Sequence, residues 1–175
     1  MEPRLHAEEV QLVMADQDIL IERIVDAPRE RVFRAWTDPR DLVRWFCPKG
    51  CSIEFKKLDL REGGSFHSCL TTPDGYECWA KGIYLEIDHP ERIVFVMAVT
   101  DKDGGFVEPV NIGMDPEWPR ETVVTVTLDD LGKQTRMTLR QTASQTVAKR
   151  TGAFNGWLMM FDRLEEAVTS QEMTH

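Results

Sequence analysis

Four cysteines and one histidine in a strand-like run are the residues of this chain whose types and spacing could do chemistry. Cys47 and Cys51 stand four apart, and His67, Cys69 and Cys78 follow in neighbouring strand-like segments. Thiolate and imidazole are the ligands of structural zinc, so these five could in arithmetic terms supply a tetrahedral site. Such sites usually show tighter pairs of the Cys-x-x-Cys kind, which are missing here, so the expectation is no metal and four reduced thiols. His67 and Cys69, two apart on one strand, would share a sheet face. His67 is also the best titratable candidate for the interior, because His89 falls in a turn and His6 and His175 near the ends. Arg23, set in an aliphatic strand, is the second. If it points inward it needs a partner, and Glu54 or a ligand acid could serve.

Catalysis requires a positioned acid, base or nucleophile. The chain has no Gly-x-Ser-x-Gly, no His-Glu-x-x-His, no phosphate-cradling loop and no dinucleotide fingerprint. Gly63-Gly64 is a lone pair at a strand entrance, where backbone freedom accounts for it. No catalytic residue and no cofactor is assigned, and non-enzymatic binding is favoured over turnover.

The elements that must position these groups follow from composition and patterning. Hydrophobic residues at 42% and charged residues at 29% suit a packed core. A net charge of -9 with no basic cluster repels phosphate backbones, which excludes nucleic acid as a partner. Met1 to Gln17 lacks the unbroken apolar core of a secretory signal, and no apolar run approaches the roughly 20 residues of a membrane span. The expectation is a cytoplasmic protein without membrane insertion, organised as an extension (1–17), one domain (18–170) and a short tail (171–175).

Asp18 to Asp26 reads as a strand stopped at Ala27-Pro28. Pro28 to Thr37 and Asp38-Pro39 to Phe46 then read as two short helices, each with proline in its first turn. Strands are predicted over Cys51–Asp59, Ser65–Thr72, Glu77–Asp88 and Arg92–Thr100, with Pro73-Asp74-Gly75-Tyr76 and Asp88-His89-Pro90-Glu91 as turns. Val124, Val126 and Leu128, then Met137 and Leu139, alternate with polar residues and define two more. A helix is predicted from Thr146 to Val168, with Phe154, Trp157, Leu158, Phe161, Leu164 and Val168 on one face. Between the strands, 101–120 is too apolar for a solvated loop and too irregular for a regular element. Lid, edge element and contact surface all fit it.

The order strand, two short helices, six strands and long helix resembles the helix-grip fold of the START and Bet v 1-like superfamily. The segments Asp26–Pro39, Trp45-Phe46-Cys47-Pro48-Lys49-Gly50, Arg61–Phe66, Pro90–Phe95 and Gly156-Trp157 with Leu164 are similar to the branch named after the C-terminal domain of activators of the Hsp90 ATPase. Cys47 stands where that pattern commonly has glycine, Cys51 where it has an aromatic residue, and the segment before Trp118 is longer than in a minimal member. The resemblance implies an α+β fold: a curved antiparallel sheet with two short helices, wrapped around a long C-terminal helix. It further implies a cavity between sheet and helix.

Aromatic and methionine side chains suit such a cavity, since rigid rings beside flexible thioethers accept varied apolar shapes. The expected ligand contacts are Phe154, Trp157 and Phe161 from the helix, Phe66, His67, Trp79, Phe95 and Met97 from the sheet, and Trp45 and Phe46 with the 101–120 segment at the mouth. The first functional expectation is therefore a binding protein for a small lipophilic or amphipathic molecule. A chaperone-interacting domain, and a cyclase- or hydrolase-like enzyme using the same cavity, are the alternatives. A homodimer through the 101–120 segment or an edge strand is left open.

Overall fold

A computed structural model describes residues 17–173. Residues 1–16 of the expected extension and 174–175 of the expected tail lie outside the described residues. The chain runs β1 (Asp18–Val25), α1 (Arg29–Thr37), α2 (Pro39–Trp45), β2 (Ser52–Leu58), β3 (Ser65–Thr71), β4 (Glu77–Asp88), β5 (Arg92–Thr100), a 3-10 turn (Pro109–Ile112), β6 (Glu121–Asp130), β7 (Thr135–Ser144), α3 (Gln145–Thr151) and α4 (Ala153–Met173).

The seven strands form one antiparallel sheet in the order β1-β7-β6-β5-β4-β3-β2. Alternation assigns each side chain to a face: Thr122, Val124, Val126 and Leu128 of β6 are buried, as are Met137, Leu139, Gln141 and Ala143 of β7. The register shifts between Phe55 and Lys57 and between Tyr84 and Glu86, irregularities of the kind that bend and twist a strand locally. Gly82 marks the tightest approach. A Cβ there would lie 2.0 Å from the Val96 carbonyl oxygen and 2.4 Å from the Phe66 ring, so only glycine lets that ring lie flat on β4.

The helices close the concave side. Asp38 caps α2 by accepting the Arg40 amide at 2.9 Å, with Pro39 in the first turn. Trp45 donates its indole N–H to the Ala35 carbonyl at 2.9 Å and meets Trp36 edge to face at 4.6 Å, fixing α2 against α1. Trp157, Phe161, Leu164 and Val168 of α4 are buried against the sheet. Each such side chain contributes roughly 1.5–3 kcal/mol through its burial.

One expectation is corrected. A single helix from Thr146 to Val168 is instead two, α3 and α4, separated at Gly152, whose φ of 92° lies in the left-handed region. The apolar spacing continues across the break, so periodicity conceals it, whereas glycine at a helix C-terminus signals it. Ser144 starts α3 by accepting the Val147 amide at 3.2 Å. Among the described residues no helix is long and apolar enough to cross a membrane.

Candidate functional site

The concave side is filled at one end and open at the other, and the change follows from side-chain size along each strand. On β3 the inward series runs Phe66, Ser68, Leu70; on β4 it runs Tyr84, Gly82, Ala80, Cys78; on β5 it runs Phe95, Met97, Val99. Large rings occupy one end of each series. Ser68, Ala80 and Val99 are direct cross-strand neighbours at the other, and this row of small residues is the floor of a cavity of about 600 Å³.

Phe46 from the end of α2 and Ala153, Trp157 and Met160 from the start of α4 form the opposite wall. The volume lies within the usual range for small-molecule sites.

The mouth is bordered by the second half of the 101–120 segment, through Ile112, Gly113, Met114 and Trp118. This part is tied down at two points. The Tyr76 hydroxyl donates to the Ile112 carbonyl at 2.9 Å, and Arg150 of α3 donates to Asp115 at 3.0 Å and to Glu117 at 2.7 Å. The Asp115 carboxyl also accepts the Glu117 amide, and that bond with the Arg150 guanidinium holds its pKa below the usual aspartate range. The first half of the segment folds onto the outer face. Asp101 accepts the Asp103 and Gly105 amides, and Lys81 Nζ sits 4.0 Å from the centre of the Phe106 ring.

No Asp, Glu, Lys, Arg or His is among the described residues that line the cavity. Its polar groups are few and placed on opposite sides. Gln141 on β7, 4% exposed, accepts the Trp157 indole N–H at 2.9 Å through Oε1 and donates from Nε2 to Thr122 Oγ1 at 3.1 Å. Ser68 on β3 is 5% exposed and its hydroxyl has no hydrogen-bond partner among the described residues. Cys78 and Tyr76 are the titratable groups of the lining; desolvation at the wall pushes the Cys78 thiol up. A cavity without ionised side chains, apolar over most of its lining and with a few hydrogen-bonding groups, can bind and orient a molecule.

The ten residues proposed from sequence are divided by this geometry. Phe46, Met97 and Trp157 face the cavity. Trp45, Phe66, Phe95 and Phe161 form the aromatic plug beneath it, linked by contacts such as Phe66–Phe95 at 6.1 Å and Phe46–Phe95 at 6.4 Å. Trp79 borders the cavity, yet alternation turns its indole to the outer face. There it packs on His67 with ring centres 5.2 Å apart. His67 therefore faces outward, toward a second hollow of about 430 Å³ bounded also by Lys81 and Phe106. Phe154 is half-buried beside Lys149, whose Nζ lies 5.0 Å from its ring centre.

Arg23 points toward α4, but its carboxylates are Asp162 at 2.8 Å and Glu165 at 3.6 Å rather than Glu54, which lies opposite Cys69 on the other sheet face. The four cysteines are free thiols. Cys47 Sγ accepts from Arg163 Nη1 at 2.9 Å, and that nitrogen also donates to the Cys47 carbonyl at 2.8 Å. Among the described residues no group of three or more His, Cys, Asp or Glu side chains is placed to hold a metal ion.

Sequence reasoning missed Ser68 and Gln141. Each is a polar residue in an otherwise inward apolar series, Phe66-x-Ser68-x-Leu70 and Met137-x-Leu139-x-Gln141, and that interruption was the available signal.

The comparisons agree with this architecture. The family described as activator of Hsp90 ATPase homolog 1-like protein matches residues 26–169. A crystal structure of a Chromobacterium violaceum protein is 25% identical with a TM-score of 0.71, covering 86% of this chain and 96% of its own. A Nitrosomonas europaea protein is 25% identical with a TM-score of 0.69, covering 89% and 96%. An Arthrobacter aurescens protein solved by NMR shares the fold with a TM-score of 0.73 at 23% identity, covering 87% and 86%. The comparison with curated proteins finds no match.

Proposed function

The chain belongs to the activator of Hsp90 ATPase homolog 1-like family, and from that premise we propose that it binds a small lipophilic or amphipathic molecule in the cavity between sheet and α4. The observation that carries this reading is the row Ser68, Ala80 and Val99, which leaves about 600 Å³ open, whereas toward the other end of the same strands Phe66, Tyr84 and Phe95 fill the space. Burying about 300 Å² of an apolar ligand at about 25 cal/mol/Å² yields roughly 7 kcal/mol before the costs of association, so micromolar or weaker affinity is expected. Native mass spectrometry of freshly purified protein, repeated after denaturation, tests it together with titration of a neutral apolar fluorophore. A non-covalent mass lost on denaturation, or saturable one-to-one probe binding, supports the reading. A folded protein that shows neither counts against it.

Contact with an Hsp90-type chaperone is the second reading, drawn from the family's name. What bears on it is the exposure of Phe106 at 57% and Val110 at 54% on one segment. Recovery of chaperone by the wild-type protein but not by Phe106→Ser/Val110→Ser would raise it above ligand binding.

A further inference from the structure

We propose that the cavity selects an uncharged ligand, apolar along its body, whose hydrogen-bonding groups meet Ser68 on one wall and Gln141 on the other. This rests on the ligand-binding reading above and specifies its chemistry.

The first observation is the lining itself, which contains no ionised side chain among the described residues. A carboxylate or ammonium drawn inside would lose its hydration and find no counter-ion. Arg150, which holds the segment bordering the mouth, is already engaged with Asp115 and Glu117. The chain's net charge of -9 opposes an anionic ligand further.

The second observation is where hydrogen-bonding capacity remains. Gln141 is held in one orientation, because the Trp157 N–H requires an acceptor and Thr122 receives one of the amide hydrogens. One N–H of Nε2 and one lone pair of Oε1 are left over. Ser68 keeps its whole hydroxyl, a donor and an acceptor, at a buried position of a wall otherwise built from Leu70, Ala80 and Val99. With no protein partner among the described residues, that hydroxyl offers a donor and an acceptor to a ligand atom, or to water in its absence. β3 and β7 are four strand steps apart in the sheet, an arc of about 19 Å, and register sets Ser68 four residues along the strands from the row of Gln141, so the two groups lie on well-separated parts of the lining.

The test compares dodecanol, dodecanoate and dodecylammonium, one apolar body with neutral, anionic and cationic ends, by calorimetry or tryptophan fluorescence below their aggregation limits. Dodecanol should bind at least about tenfold more tightly than either ion, the discrimination expected when a charge has no partner. Ser68→Ala should weaken dodecanol measurably while the melting temperature is kept. Ions binding as well as the alcohol would overturn the selectivity while leaving the cavity reading intact. Unchanged dodecanol affinity in both Ser68→Ala and Gln141→Leu would overturn the anchoring groups. If none of the three binds the folded protein, the cavity reading fails and this inference with it.

Discussion

The indole N–H of Trp157 meets the Gln141 amide oxygen at 2.9 Å, a buried hydrogen bond that joins the first turns of α4 to the far side of the sheet. The same amide continues to Thr122, so three elements share one polar chain at the edge of the cavity. In Gln141→Leu the indole N–H loses its acceptor while the leucine adds apolar volume. An orphaned buried donor costs about 1–3 kcal/mol. Urea unfolding should show a lowered midpoint with an unchanged slope, and Trp157 emission should shift as its ring is freed. An unmoved midpoint would mean the chain of hydrogen bonds contributes nothing to holding the wall.

Ala80 is the centre of the small-residue floor, between Ser68 and Val99. Ala80→Phe places a ring in the open volume instead of in the packed core, so the usual overpacking penalty of about 1–3 kcal/mol should be largely avoided. Binding of a neutral apolar probe should fall at least about tenfold, with thermal stability retained. Full probe binding by a well-folded Ala80→Phe protein would place the binding site elsewhere.

These two positions also explain how far the sequence could be read. The strands were legible from apolar runs between turn signals, so that Glu77–Asp88 and Arg92–Thr100 coincide with β4 and β5, and from the alternation that burial repeats along β6 and β7. The family was legible from short motifs in order, such as Asp26–Pro39. The cavity's location was not. The aromatic residues that drew attention, Trp45, Phe66, Phe95 and Phe161, fill space, and a cavity arises where such residues stop. Ala80, Val99 and Ser68 carry no individual signal, and their cross-strand adjacency depends on register, which the sequence does not state. The outward turn of His67 likewise follows from its pairing with Lys81 beside the inward Phe66–Gly82 pair.

Arg150 fastens the mouth segment through Asp115 and Glu117, both pairs lying at the surface. Exposed pairs contribute little to folding, so Arg150→Ala should barely change global stability. Its effect should appear in exchange: a bound fluorescent probe should leave faster, as followed by stopped-flow dilution. Tyr76→Phe, which removes the bond to the Ile112 carbonyl, should act in the same direction. Unchanged release rates in the double variant would show that ligands enter by another route.

The same fastening has a pH dependence. The Asp115 pKa is depressed, first by the Glu117 amide and then by Arg150. A depressed acid contributes its stabilisation above its unfolded pKa, about 3.9, and loses it as pH falls through the lower folded value. Probe release from the wild-type protein should therefore accelerate only below about pH 3.9. In Arg150→Ala that acceleration should be reduced, because part of the cause has been removed. A release rate that instead changed near neutrality would implicate other groups.

Glu165 behaves in the opposite sense. It lies 3.6 Å from Arg23, yet burial raises its pKa more than Arg23 lowers it, with the neighbouring Asp162 adding to the rise. An acid whose folded pKa is raised favours the folded state least when ionised, so its penalty is present above the folded value and fades as pH falls below the unfolded one, about 4.3. Arg23 keeps its closer partner, Asp162, at 2.8 Å. Glu165→Gln should thus raise the unfolding midpoint at neutral pH, and the gain should vanish below about pH 4.3. Asp162→Asn, which removes the shorter ion pair, should lower the midpoint at neutral pH instead. Destabilisation by both substitutions would show that Arg23 needs two carboxylates and that its attraction for Glu165 outweighs the cost of burying that charge.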